Sequence, residues 1–261
     1  MGKNQEELLT FGGHLEILRK MFFRIIIVVG VLVFCFKDIT FELLLGPINN
    51  DFCFYKWVEN VSSMFGWDFK LDKLSISLIS TELSAQFMTH LTSSIYLALL
   101  LASPYMLFEI FGFVAPALYE REKRYAVIVV VIVYVLFLVG VLLSYYIIFP
   151  ISFRFLATYQ VADSVVNTIT LSSYISTFTT LTLMMGLVFQ LPILSYLLAK
   201  IGIISYSALR DYRKHALLAI TIISAVITPP DILTCILVMG PLYLLYECSI
   251  WVVAFVEKRN S

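Results

Sequence analysis

Residues 108 to 125, FEIFGFVAPALYEREKRY, set three acids (Glu109, Glu120 and Glu122) among three cations (Arg121, Lys123 and Arg124) and the rings of Phe111, Phe113 and Tyr119. Carboxylates framed by aromatic rings suit a cationic ligand. A guanidinium suits them best, because it meets a carboxylate through two parallel hydrogen bonds and so favours Arg over Lys. The stretch also reads as an ordinary interfacial turn with a basic anchor, and spacing alone leaves both readings open. A second candidate is ITPPD, residues 227 to 231, where two prolines and an acid interrupt apolar sequence. There Thr228, Pro229 and Pro230 end one helix, and Asp231 suits the N-cap of the next. A third is Gln190, an amide within the apolar run GLVFQLP. In hydrocarbon it needs a partner, either a carbonyl freed by Pro192 or the membrane helix of another protein.

Other chemistries find little support. With only His14, His90 and His215 there is no HExxH pair or three-histidine cluster, so no metal site is expected, and His90 reads as a packing residue. Cys35, Cys53, Cys235 and Cys248 make no CxxC pair and read as small hydrophobes. No GxxxxGK[ST] loop is present to bind a nucleotide. Asp231 lacks the second carboxylate that an aspartyl protease needs. A solute transporter built on Glu109, Gln190 and Glu247 is a further reading, weakened by the lack of internal repeats. No enzyme activity, no cofactor and no nucleic-acid partner are expected.

The elements that must hold these residues are membrane helices. Sixty per cent of the chain is hydrophobic and 14% charged, with a mean hydropathy of +0.91, whereas roughly a quarter of a soluble domain is charged. Continuous apolar runs predict six spans, near 21–36, 85–108, 125–149, 172–199, 214–227 and 233–254. The chain thus reads as a single all-α polytopic membrane domain over 1–261. Thirteen Lys and Arg fall on the side of the termini and five on the other, which predicts both termini in the cytoplasm. Residues 1–20 form an amphipathic cytoplasmic lead-in, with Leu15, Leu18 and Phe22 at helical spacing beside Glu16, Arg19 and Lys20. Residues 37–84 make a long outer connection, amphipathic and aromatic, with Trp57 and Trp67 suited to the interface. Pro104, Pro150, Pro192 and Pro241 predict bent helices.

The fifth span is short. Ala216 to Ile227 is a 12-residue run, about 18 Å of helix against a core of about 30 Å. A bilayer can thin locally to meet it, which sets the ITPPD turn below the usual membrane surface.

Four segments recur in register with this topology: HLEILR (14–19), APALYEREKR (115–124), GLVFQLP (186–192) and ITPPD (227–231). Together they resemble the TatC family, the core subunit of the twin-arginine protein translocase, over essentially the whole chain. The resemblance implies a concave, cup-like bundle of six transmembrane helices with both termini cytoplasmic, in the bacterial inner membrane. It implies a receptor for the twin-arginine signal peptides of folded cargo, self-association in the complex, single-span partners of the TatA and TatB type, and transport driven by the proton-motive force. It assigns signal-peptide binding to the N-terminal segment, with Glu16 and Arg19, and to the first cytoplasmic loop, with Glu122 and its aromatic partner Phe113. It favours Gln190 as a contact with a partner's helix. This chain departs from the HLxELR pattern: the fourth place is Ile17 and the acid stands one residue earlier, at Glu16. One residue turns a helical side chain by about 100°, which shifts the burden toward Glu122. Where the family often has Gln, four residues after the Asp, this chain has Cys235.

Overall fold

The computed structural model describes residues 11–36, 40–49, 51–64, 77–114, 126–160, 162 and 167–260. Eleven α-helices run through these residues. They are α1 (Phe11–Phe36), α2 (Thr40–Leu45), α3 (Cys53–Met64), α4 (Ala85–Val114), α5 (Ala126–Leu143), α6 (Phe149–Thr158), α7 (Leu171–Val188), α8 (Leu191–Lys200), α9 (Tyr206–Asp211), α10 (Arg213–Ile227) and α11 (Ile232–Asn260). A two-residue parallel pairing joins β1 (Leu78–Ile79) to β2 (Ile169–Thr170), with Leu78 opposite Ile169. Continuous apolar sequence is what allows helices of this length, since every backbone group is satisfied within its own segment.

Four stretches are long and apolar enough to cross a bilayer: Ala85–Ile110, Val129–Thr158, Leu171–Lys200 and Ile232–Lys258. The helical membrane class expected from the sequence is therefore observed. The first and fifth expected spans are also helical. In α1, Arg24 sits among the apolar residues of the expected span, and α10 has only 15 residues, about 22 Å.

Prolines shape two of the long stretches. Pro150 lacks an N–H and its ring crowds the carbonyl four residues back. The backbone answers with a π-helical segment, Ser144–Ile148, in which Phe149 N–H reaches the Ser144 carbonyl, and the helix continues to Thr158. The third span is thus longer than expected. Around Pro192 the outcome is a break: α7 ends at Val188, Phe189 and Gln190 turn, and α8 starts at Leu191.

The chain divides into two compact units, Met1–Thr40 with Ser94–Tyr134, and Phe41–Ser93 with Val135–Ser261. In the first unit α1 buries Met21 and Ile25, one turn apart, and exposes Arg19, Phe22 and Phe23. The second unit is built on aromatic packing. Phe149 meets Tyr174 and Phe178 edge-on at 5.2 and 4.8 Å, and Phe153 meets Tyr174 at 5.0 Å. Three tyrosine hydroxyls fasten the start of the connection between α1 and α4: Tyr145 donates to the Leu43 carbonyl at 2.9 Å, Tyr174 to Leu44 at 2.8 Å and Tyr55 to Pro47 at 3.0 Å. The Arg154 guanidinium stacks 5.3 Å from the centre of the Tyr55 ring, and burial raises the Tyr55 phenol above its ordinary pKa against that cation. At Gly140 a side chain would strike the Met185 carbonyl 2.6 Å away, and at Gly186 the Phe137 ring at 2.7 Å, so two glycines set the close approach of α5 and α7.

Candidate functional site

The described parts of the two segments that could read a cation lie in the first unit. Glu16 is exposed on α1 and bound to Lys20 one turn on, at 2.9 Å. The Lys20 hydrogen bond, then its charge, hold the Glu16 carboxyl below the usual range. Ile17 and Arg19 beside it are exposed as well. Phe113 lies on the last turn of α4, its ring outside the described residues, and Glu122 falls outside them altogether. One turn before Phe113, on the same face of α4, stands Glu109. Its Oε1 accepts the Tyr105 hydroxyl at 2.7 Å and the Arg24 Nη1 at 3.3 Å.

The second unit carries a related constellation. Arg213 Nη2 donates to Glu247 Oε2 at 2.7 Å, and the Tyr243 hydroxyl to Glu247 Oε1 at 3.2 Å. Tyr246 donates to the Leu209 carbonyl at 2.6 Å, and the Tyr206 N–H to Glu257 at 2.7 Å, tying α9 to α11. In the sequence Glu109 reads as an acid of the 108–125 stretch and, with Glu247, as part of a transporter site, but what holds the two was missed. The signal was present: each has a tyrosine four residues earlier, on the same helical face.

At the break after α7, the Gln190 N–H bonds the Leu187 carbonyl, three residues back, rather than that of Gly186. Its side-chain Nε2 turns to the Gly186 carbonyl at a long 3.5 Å. The tightened turn thus releases the Gly186 carbonyl from the Gln190 N–H, and the side-chain amide of the same residue approaches it. The carbonyl that Pro192 itself frees is that of Val188. At the ITPPD turn, Thr228 closes α10, Pro229 and Pro230 offer no N–H, and Asp231 Oδ1 accepts the Thr234 N–H at 2.6 Å at the start of α11. Cys235 meets Ser224 of α10 at 3.3 Å. Among the described residues no cluster of His, Cys, Asp and Glu has the makings of a metal site.

Long apolar helices, with carboxylates held by tyrosine and arginine, define an α-helical, polytopic membrane protein. The family model of the Sec-independent protein translocase protein TatC matches residues 13–241. The chain belongs to the TatC family. It is 32% identical to TatC of Blattabacterium sp. subsp. Periplaneta americana, over 99% of this chain and 100% of that protein. TatC of Carboxydothermus hydrogenoformans is also 32% identical, over 98% and 97%. A crystal structure of the twin arginine translocase receptor TatC superposes with a TM-score of 0.73 at 26% identity, covering 94% of this chain and 99% of that one. As a member of this family the chain is a component of the Sec-independent, twin-arginine translocase, a membrane-transport subunit and not an enzyme.

Proposed function

We propose that this chain is the receptor subunit of the translocase, binding the paired arginines of export signals at the cytoplasmic face. The observation that carries the reading is the first compact unit, in which α1, with Glu16 and Arg19, belongs together with the end of α4 that leads toward Glu122 in the sequence. Glu122 and Phe113 on the loop side, with Arg19 and Glu16 on α1, form the binding face. Glu16 is engaged by Lys20, so Glu122 bears more of the recognition. Both termini face the cytoplasm of a bacterial inner membrane, following the excess of Lys and Arg on that side. Gln190 contacts the membrane helix of a single-span partner of the TatA or TatB type, and copies of the chain associate in the complex. With no nucleotide loop in the sequence, transport draws on the proton-motive force.

The test is binding of a labelled twin-arginine signal peptide to the protein in membranes, with RR and KK peptides and with Glu122→Gln. The expected result is a preference for RR that Glu122→Gln abolishes. Equal binding of RR and KK overturns the receptor reading.

A further inference from the structure

We propose that Glu109 is an additional arginine-reading carboxylate of the receptor face, and that Arg24 is its resident placeholder, giving way to a guanidinium of the signal peptide. The inference rests on the receptor reading above and adds to it a residue pair and a displacement step.

The geometry of the carboxylate carries it. Both donors that reach Glu109, the Tyr105 hydroxyl and the Arg24 Nη1, fall on Oε1, and Oε2 accepts no hydrogen bond among the described residues. The acid is therefore oriented by Tyr105, a positioning residue, and half engaged. Arg24 holds it by one nitrogen at 3.3 Å, longer than the 2.7–2.9 Å of a strong charged pair. The Arg24 side chain is 62% exposed, while that of Glu109 is only 16% exposed. A fixed acceptor facing a loosely held, solvated donor is an arrangement that an incoming donor can enter at little cost. A second guanidinium, arriving in the plane of the carboxylate, gains Oε2 as well as a share of Oε1, a two-point contact that Arg24 does not make.

The Arg213–Glu247 pair of the second unit shows what a closed version looks like. Arg213 takes Glu247 Oε2 at 2.7 Å and Tyr243 takes Oε1, one donor to each oxygen. That pair braces α10 against α11 and leaves neither oxygen without a donor. The position of Glu109 points the same way. It stands one turn from Phe113, and the described acid on α1, Glu16, is already spoken for by Lys20. Two arginines arrive together in the signal, and Glu109 supplies a carboxylate for one of them.

The experiment titrates fluorescent RR and KK signal peptides against full-length protein in nanodiscs, recording the thermal midpoint of every variant. Arg24→Gln is expected to tighten RR binding by about three-fold and Glu109→Gln to weaken it by about ten-fold, with the RR-to-KK ratio shrinking only in the latter. Glu247→Gln is expected to leave the RR-to-KK ratio unchanged. The charge swap, Arg24→Glu with Glu109→Arg, rebuilds an ion pair but puts a cation where the peptide's arginine must sit. It is expected to keep the thermal midpoint and to bind RR as poorly as Glu109→Gln. Recovery of RR binding in the swap, or weakening by Arg24→Gln equal to that of Glu109→Gln, makes the pair a structural brace and overturns the inference. Loss of RR preference in Glu122→Gln with none in Glu109→Gln leaves the receptor standing and removes only Glu109. Absence of RR preference in the wild type removes both. Where Glu109→Gln does not fold, Arg24→Gln and the swap decide the matter.

Discussion

Single side chains carry the sharpest consequences. The Glu16 carboxyl titrates below the ordinary range because Lys20 donates to it and neutralises it. Its folded pKa lies beneath the unfolded one, so the pair contributes above the ordinary carboxylate pKa and is lost as pH falls through the lowered value. The expected observation is a depressed Glu16 titration by carbon NMR, restored toward the ordinary range by Lys20→Gln and by high salt. An unshifted titration in the wild type means that the pair does not persist in solution. Asp231 offers a second prediction. With its Oδ1 on the Thr234 N–H, Asp231→Ala should cost about 1 kcal/mol by thermal denaturation and Asp231→Asn much less. Equal losses would show that charge, not capping, is what matters there. For Gln190, replacement by Leu is expected to weaken co-purification of single-span partners while the protein stays folded. Undiminished partner recovery removes that role. These positions were legible because proline, acid and amide stand out in apolar sequence. The arrangement around Glu109 was not. Which arginine a neighbouring helix brings to an acid depends on packing, and no spacing along one helix reveals it.

At the scale of elements, the apolar runs predicted where helices lie, and membrane physics explains why this was easy: a spanning backbone has few other ways to satisfy itself. What escaped was how each helix meets its prolines. Pro150 is absorbed by a π-helical segment and the helix runs on, whereas Pro192 splits its helix in two. The ring makes the same local demand in both cases, and the backbone meets it in two different ways. The crossing of α5 and α7 was also hidden, because glycine in a membrane run reads as nothing in particular until its neighbour is known. Gly140→Ala drives a methyl group into a backbone carbonyl, and Gly186→Ala drives one into a ring. A destabilisation of about 1–3 kcal/mol is expected for each, read as a fall in the thermal midpoint in detergent. The backbone clash leaves less room for relief, so Gly140→Ala should be the worse of the two. The reverse order would mean that the helices slide apart more readily than the Phe137 ring turns.

For the molecule as a whole, the short α10 sets the most general expectation. At about 22 Å it does not match a core of about 30 Å, and bilayer thinning costs a fraction of a kcal/mol for each ångström. Reconstituted into lipids of graded acyl length, the protein should be most stable in the shorter ones. Adding one apolar turn of four residues to α10, about 6 Å, should move that optimum to longer chains. A response to chain length that is the same with and without the added turn sinks the idea. Composition made the membrane class legible and charge counts suggested an orientation. The division into two compact units, by contrast, cuts through α4 and α5, where hydropathy is unbroken and nothing in the residue pattern marks a boundary. The fastening of the connection between α1 and α4 has one more implication. Tyr145, Tyr174 and Tyr55 all grip main-chain carbonyls, two of them at the end of α2, where helical carbonyls go begging. A clasp that holds the path of the chain is indifferent to the exposed side chains along it, though not to Gly46, where a side chain would strike the Tyr145 hydroxyl. The exposed letters of this stretch, Glu42 and Leu43 among them, are free to drift over evolutionary time, or to carry an engineered tag, while the clasp stays shut.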